Sequence, residues 1–102
     1  MIQTETRDGT TVVHPEGAIT AANADELRAE LLGLINEGAR SIEIDLAEVG
    51  MIDSRGLSVF VMCHRSLQEN DGTLTVVTDA PDLRGLFRLL RLDEHFTVRG
   101  SS

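Results

Sequence analysis

Apolar and polar positions change period several times along the chain, and each change marks an element. Residues 2–6 and 10–14 are rich in threonine and β-branched apolar residues, with Asp8-Gly9 between them. An Asp-Gly pair between two such runs predicts a tight hairpin of short antiparallel strands. Pro15 and Gly17 end the second run. From Ala21 to Glu37 the period becomes helical: Leu27, Leu31, Leu34 and Ile35 stand at i, i+4, i+7 and i+8, with Glu26, Arg28 and Glu30 off that face. Asn23 or Thr20 is placed to cap the start of this helix, and Gly38 to stop it. Ser41-Ile42-Glu43-Ile44-Asp45-Leu46 then alternates cleanly, which predicts a strand with Ile42, Ile44 and Leu46 on one face.

A loop from Ala47 to Asp53 leads into a second helix, Ser54 to Glu69, ended by Asn70-Asp71-Gly72. Between Val59 and Cys63 it is apolar nearly all round, which predicts burial on more than one side. Thr73 to Thr78 reads as a strand centred on Leu74-Thr75-Val76-Val77. Pro81 opens a third helix at a favoured first-turn position, and Leu83, Leu86, Phe87 and Leu90 complete an i, i+3, i+4, i+7 face. Phe96-Thr97-Val98 adds a short last strand. The order β-β-α-β-α-β-α, with this final strand, makes the fold α/β. It predicts one domain over residues 1–102, a mixed sheet of four or five strands, and three or four helices. Helical crossovers are right-handed and join parallel strands, so the later part of the sheet should be mostly parallel.

A length of 102 residues fits one domain with a core of its own. With 41% hydrophobic and 25% charged residues, the composition is that of an ordinary globular domain. The charge balance changes the picture more. Nine basic residues, all arginine, face seventeen acidic ones, for a net charge of −8 at pH 7. Such a chain repels phosphate backbones and anionic bilayers, so neither nucleic acid nor a membrane surface is an expected partner. The N-terminus lacks a basic and apolar leader, and no apolar run approaches the ~20 residues of a bilayer span, so membrane insertion is not expected. Cys63 is the only cysteine, which rules out an intrachain disulfide and fits a core thiol in the cytoplasm.

The most unusual segment is Met51-Ile52-Asp53-Ser54-Arg55-Gly56-Leu57. Two readings of it stand side by side. In one, Asp53 or Ser54 caps the free N–H groups of the second helix, and Gly56 permits close packing. In the other, Ser54 also bears a phosphate at the helix N-terminus. The N–H groups and the helix dipole would favour the anion there, and about −1.5 to −2 charges would be added beside Asp53. A nucleophilic serine is disfavoured, because the Gly-x-Ser-x-Gly elbow is absent. His64 also lies ten residues along the same helix, roughly 15 Å away at 1.5 Å per residue. His14, His64 and His95 are widely spaced, and Cys63 and His64 point apart on a helix, so no metal site is expected. No glycine-rich phosphate loop appears, and no cofactor is expected. Asp45 and Asp53 could form a carboxylate pair, although capping or solvent-facing roles suit them better.

Asp45-Leu46-x-x-Val49-x-x-Ile52-Asp53-Ser54-x-Gly56-Leu57 resembles the signature of STAS domains, particularly bacterial anti-sigma factor antagonists. The string Leu86-Phe87-Arg88-Leu89-Leu90-Arg91-Leu92-Asp93-x-x-Phe96 is similar to the last helix and strand of that family. The resemblance implies a non-enzymatic partner switch. Ser54 would be phosphorylated by a cognate anti-sigma factor that is also a serine kinase. The unphosphorylated form would bind that kinase, and a phosphatase would reset the modified one. Asp53, Ser54, Arg55, Gly56 and Leu57 would form the partner-binding segment. A scaffold or regulatory subunit of a signalling or lipid-transport complex is the alternative that the same resemblance allows. Three positions depart from the family pattern: Arg55 where many members have Ser or Thr, Thr20 where acidic residues follow Gly17-Ala18-Ile19, and Arg91 where many have glycine.

Overall fold

The computed structural model describes residues 2–101. Its elements in chain order are β1 (Gln3–Arg7), β2 (Thr10–His14), α1 (Ala24–Asn36), β3 (Ser41–Asp45), α2 (Ser54–Glu69), β4 (Thr73–Val77), α3 (Pro81–Leu89), a 3-10 turn (Leu92–Glu94) and β5 (Thr97–Arg99). The strands form one five-stranded sheet in sequence order, β1-β2-β3-β4-β5. β1 and β2 are antiparallel, with Thr6 opposite Thr11, and every later pair is parallel. Asp8 and Gly9 both take positive φ, at 52° and 84°, as a two-residue hairpin turn requires.

The pattern reading and the structure differ mainly at element ends. α1 begins at Ala24 rather than Ala21, because Ala21–Asn23 form a separate turn on the Thr20 carbonyl, which accepts from the N–H groups of Asn23 and Ala24 at 3.0 and 2.8 Å. Neither proposed residue caps α1 with its side chain. Asn23 Oδ1 turns back to accept from the Thr20 N–H at 2.8 Å, and Thr20 Oγ1 accepts from the Ala22 N–H at 3.2 Å. The third and fourth strands are each one residue shorter than their patterns, and the last is Thr97–Arg99 rather than 96–98. On α2, Val59, Phe60 and Cys63 are buried, whereas Val61 and Met62 are only half-buried, so its second buried side is partial.

Pairing register sorts the strands into two faces. Val13, Ile44, Val76 and Val98 share one face through their pairing, as do Thr11, Ile42 and Leu74, and this face meets the helices. Leu27, Leu31 and Ile35 of α1, Phe60 and Leu67 of α2, and Phe87 of α3 complete the core. Phe60 and Phe87 stack at 5.8 Å between ring centroids. The opposite face follows the polar half of the alternation. On it His14 lies 2.9 Å from Glu5 and 3.4 Å from Asp45, and Arg99 lies 2.9 Å from Glu43. The packing sets the direction of α2: it starts above the C-terminal ends of the parallel strands and runs down the sheet to the turn before β4.

Candidate functional site at the start of helix α2

Asp53 is the N-cap of α2. Its extended backbone (φ −93°, ψ −176°) lets Oδ1 accept from the Gly56 N–H at 2.9 Å, three residues on. Its other oxygen accepts from the Ala21 N–H at 3.1 Å, thirty-two residues away in sequence. One carboxylate therefore closes the helix and holds the segment after β2. The Gly56 N–H is the main cause that keeps this carboxyl below the ordinary aspartate range. The N–H groups of Ala21 and Arg55 and the Arg55 guanidinium add to it, against an opposing effect of burial.

A backbone zipper ties the same two segments together. The Gly17 N–H donates to the Glu48 carbonyl, the Ile19 N–H to Met51 and the Asp53 N–H to Ile19, all at 2.9–3.0 Å. Ile19 and Ile52 form an isolated parallel bridge, and both side chains are buried. Gly56 packs into this zipper. A Cβ there would sit 2.7 Å from the Ile19 carbonyl oxygen and 2.8 and 2.9 Å from the side chains of Ile19 and Ile52. The sequence motif contained half of this arrangement. Ile19 and Ala21 were not legible as site residues, because their partners are backbone atoms that pattern reading does not see.

The five candidate residues divide by exposure: Ser54 and Arg55 are exposed, Asp53 and Leu57 half-buried, and Gly56 buried. Ser54 occupies the first position of α2, its side chain open to solvent. The Arg55 guanidinium reaches toward Asp25 at the start of α1, at 4.0 Å. Between the two helices lies a groove of about 380 Å³, lined by Asp25, Arg28, Arg55, Ser58, Val59 and Met62. Met51, at 49% exposure, stands just before the cap. Sequence reading missed the groove, since it depends on how α1 lies along α2.

The other candidate residues lie apart from this segment. Asp45 Oδ1 accepts from the Ala47 N–H at 3.0 Å and its other oxygen faces His14, so Asp45 and Asp53 serve separate turns. Cys63 is fully buried, and burial pushes its thiol pKa up to about 12. His64 and His95 come together near the other end of α2, at 6.1 Å between ring centroids. Among the described residues no group of three or more His, Cys, Asp or Glu could hold a metal ion, and no helix is long and apolar enough to cross a membrane.

The family model of the STAS domain matches residues 1–102. This chain belongs to the STAS domain family. Its relatives include BtrV, a candidate anti-sigma factor antagonist of Bordetella bronchiseptica, 30% identical over 94 residues that cover 92% of this chain and 81% of BtrV. An anti-sigma-B factor antagonist of Staphylococcus epidermidis is 29% identical over 93 residues, covering 91% of this chain and 86% of that protein. Among solved structures, a candidate anti-sigma factor antagonist from Thermotoga maritima superposes with a TM-score of 0.91 at 21% identity, over 96% of this STAS domain and 85% of that chain. The phosphorylated form of the Bacillus cell-fate determinant SpoIIAA superposes with a TM-score of 0.75 at 21% identity, over 96% and 90%. At such identities the structures establish the shared fold, a single domain of three helices and a five-stranded mixed sheet.

Proposed function

We propose that this STAS domain is a cytoplasmic anti-sigma factor antagonist that works as a phosphorylation-controlled partner switch and catalyses no reaction itself. With the Ser54 hydroxyl free, it binds a cognate anti-sigma factor that is also its serine kinase. With Ser54 phosphorylated it lets go, and a phosphatase restores the first state. Asp53, Ser54, Arg55, Gly56 and Leu57 form the centre of the contact surface.

The observation that carries this reading is the exposed hydroxyl of Ser54 on a helix end whose backbone is otherwise fixed. Its relatives' names support the sigma-pathway assignment. A kinase can reach the hydroxyl without unfolding the helix, and a partner can lie over it and the groove toward α1. The switch then needs no change of fold. A phosphate adds about −1.5 to −2 charges next to the Asp53 carboxylate. The first N–H groups of α2 favour an anion, but Asp53 already holds that of Gly56. The modified end therefore keeps excess negative charge, which an apolar or acidic partner surface must desolvate or repel, at a penalty on the order of a few kcal/mol. Arg55 is the one cation of the segment. It would pair with the phosphate and leave Asp25, to which it is only loosely held at 4.0 Å.

Wild type, Ser54→Ala and Ser54→Asp used as baits in native lysate provide the test, with bound proteins identified by mass spectrometry. Wild type and Ser54→Ala should recover a serine kinase or anti-sigma factor, and Ser54→Asp should lose at least about tenfold of it. Equal recovery by all three of a transporter or scaffold component would overturn the switch.

A further inference from the structure

The second half of α2 borders a groove that the Ser54 segment does not use. Two adjoining hollows of about 210 and 260 Å³ lie between α2, the 3-10 turn, and strands β4 and β5, and both are lined by His64, Gln68, His95 and Phe96. Arg65 and Leu92 line the first, and Thr73 and Thr97 the second. Phe96 forms an apolar floor. It is buried, packs edge-on to Phe87 at 6.1 Å between centroids, and lies 5.8 Å from the His64 ring.

The charge of this groove is opposite to that of the chain. Arg65 and His64 face it from α2, and His95 faces it from the residue after the 3-10 turn; β4 and β5 contribute uncharged threonines. No aspartate or glutamate lines either hollow, in a protein of net charge −8. Among the described residues the imidazole hydrogen bond belongs to His14, so the ring nitrogens of His64 and His95 are uncommitted. Two imidazoles at 6.1 Å could also suggest a metal, but the permanent Arg65 charge repels a dication, and no carboxylate completes a coordination shell.

We propose that this groove is a binding site for a small organic anion. Arg65, His64 and His95 hold its carboxylate or phosphate head, and its apolar or aromatic body lies on Phe96 and Leu92. The combined hollows suit a small ligand, with few polar groups around an apolar wall. The site lies roughly 15 Å along α2 from Ser54 at 1.5 Å per residue, so it stands independently of the partner switch.

Amide-resolved NMR titrations of the intact chain with benzoate, phenyl phosphate, inorganic phosphate and zinc chloride test the proposal. Benzoate and phenyl phosphate should shift amides of the second half of α2, the 3-10 turn and β5. Arg65 and His95 are exposed, and Arg65→Gln and His95→Gln should each weaken binding by about tenfold with an unchanged fold. Ser54→Ala should bind as wild type does. Saturation by zinc with no response to the anions would overturn the proposal in favour of a metal. Equal affinity for inorganic phosphate and phenyl phosphate, Arg65→Gln indistinguishable from wild type, or no shifts at millimolar anion would each overturn it as well.

Discussion

Glycine occurs near both ends of α2 and in the interiors of α1 and α3, but its surroundings differ. A Cβ on Gly56 would meet the Ile19 carbonyl oxygen at 2.7 Å, and one on Gly72, just past the other end of α2, would meet the Arg40 carbonyl oxygen at 2.5 Å. Cβ atoms on Gly33 of α1 or Gly85 of α3 would meet nothing within 4 Å. α2 is thus pressed at both ends against backbone that cannot rotate aside, whereas the glycines of α1 and α3 face open space. The helix that carries Ser54 is held in place by main chain, and the segment containing Ile19 is part of its mounting. A partner that docks on Ser54 meets a surface that is already ordered.

The largest effects should come from breaking that mounting. Gly56→Ala and Gly72→Ala should each destabilise the domain by about 1–3 kcal/mol, the usual consequence of overpacking against atoms that cannot move away. In a domain of this size that lowers the melting temperature by roughly 4–8 °C per kcal/mol. Gly56→Ala should also shift the Ile19 and Ala21 amides in NMR spectra, since the zipper must open to admit a methyl group. A melting temperature within a degree of wild type for both variants would mean that the backbone contacts give way easily, and the contrast with α1 and α3 would collapse.

An intermediate effect is expected at Arg91, which takes a left-handed conformation (φ 59°, ψ 26°) between α3 and the 3-10 turn. The fold makes a sharp helix exit there, a conformation that suits glycine, and uses an arginine to do it. A side chain there costs about 1–2 kcal/mol. Arg91→Gly should therefore raise stability by about 1 kcal/mol in urea denaturation, once the extra freedom of glycine in the unfolded chain is subtracted. No gain in the midpoint would mean that the Arg91 side chain makes compensating contacts.

How much of this was legible in the sequence follows from the kind of contact involved. The extent of α2 was readable closely from the polar pair at its start and the Asn70-Asp71-Gly72 stop, and the structure decides the cap, left open between Asp53 and Ser54, in favour of Asp53. The antiparallel first pair followed from the hairpin signal and the parallel later pairs from the helical crossovers, whereas the strand order itself came only with the structure. Gly56 was readable as a close-packing residue. Its partner Ile19 was not, since the contact is with a carbonyl oxygen in a segment without periodicity. The start of α1 was misplaced by a turn, because Thr20 and Asn23 hydrogen-bond within their own loop instead of capping the helix. The meeting of His64 with His95 was out of reach, since it depends on the 3-10 turn, which no hydrophobic period announced.

Smaller effects of the opposite sign are expected from the open glycines. Gly33→Ala and Gly85→Ala should each stabilise by about 0.5–1 kcal/mol, because alanine loses less backbone freedom in a helix and nothing obstructs its methyl group. The sign itself is the test. Stabilisation at positions 33 and 85 together with destabilisation at 56 and 72, in one series of thermal melts, would establish that α2 alone is clamped by backbone.

The smallest effect is a pH response that separates the two ends of α2. Burial of the ring, reinforced by the charges of His95 and Arg65, holds the His64 pKa below the ordinary histidine value of 6.5. A lowered histidine pKa means that the unfolded chain binds the proton more readily. The contribution to stability is therefore complete above pH 6.5 and falls away as the pH drops through the lowered native value. Asp53, held low chiefly by the Gly56 N–H, acts in a separate window. Its contribution is present above 3.8, the ordinary aspartate value, and is lost as the pH falls through its lowered native value; Glu5 and Asp79 act in the same acidic range. Melting temperatures should thus decline slightly between pH 7 and pH 5 in wild type and less in His64→Gln, while Asp53→Asn should flatten part of the fall below pH 4. A pH 7-to-5 decline that survives intact in His64→Gln would remove His64 as its source.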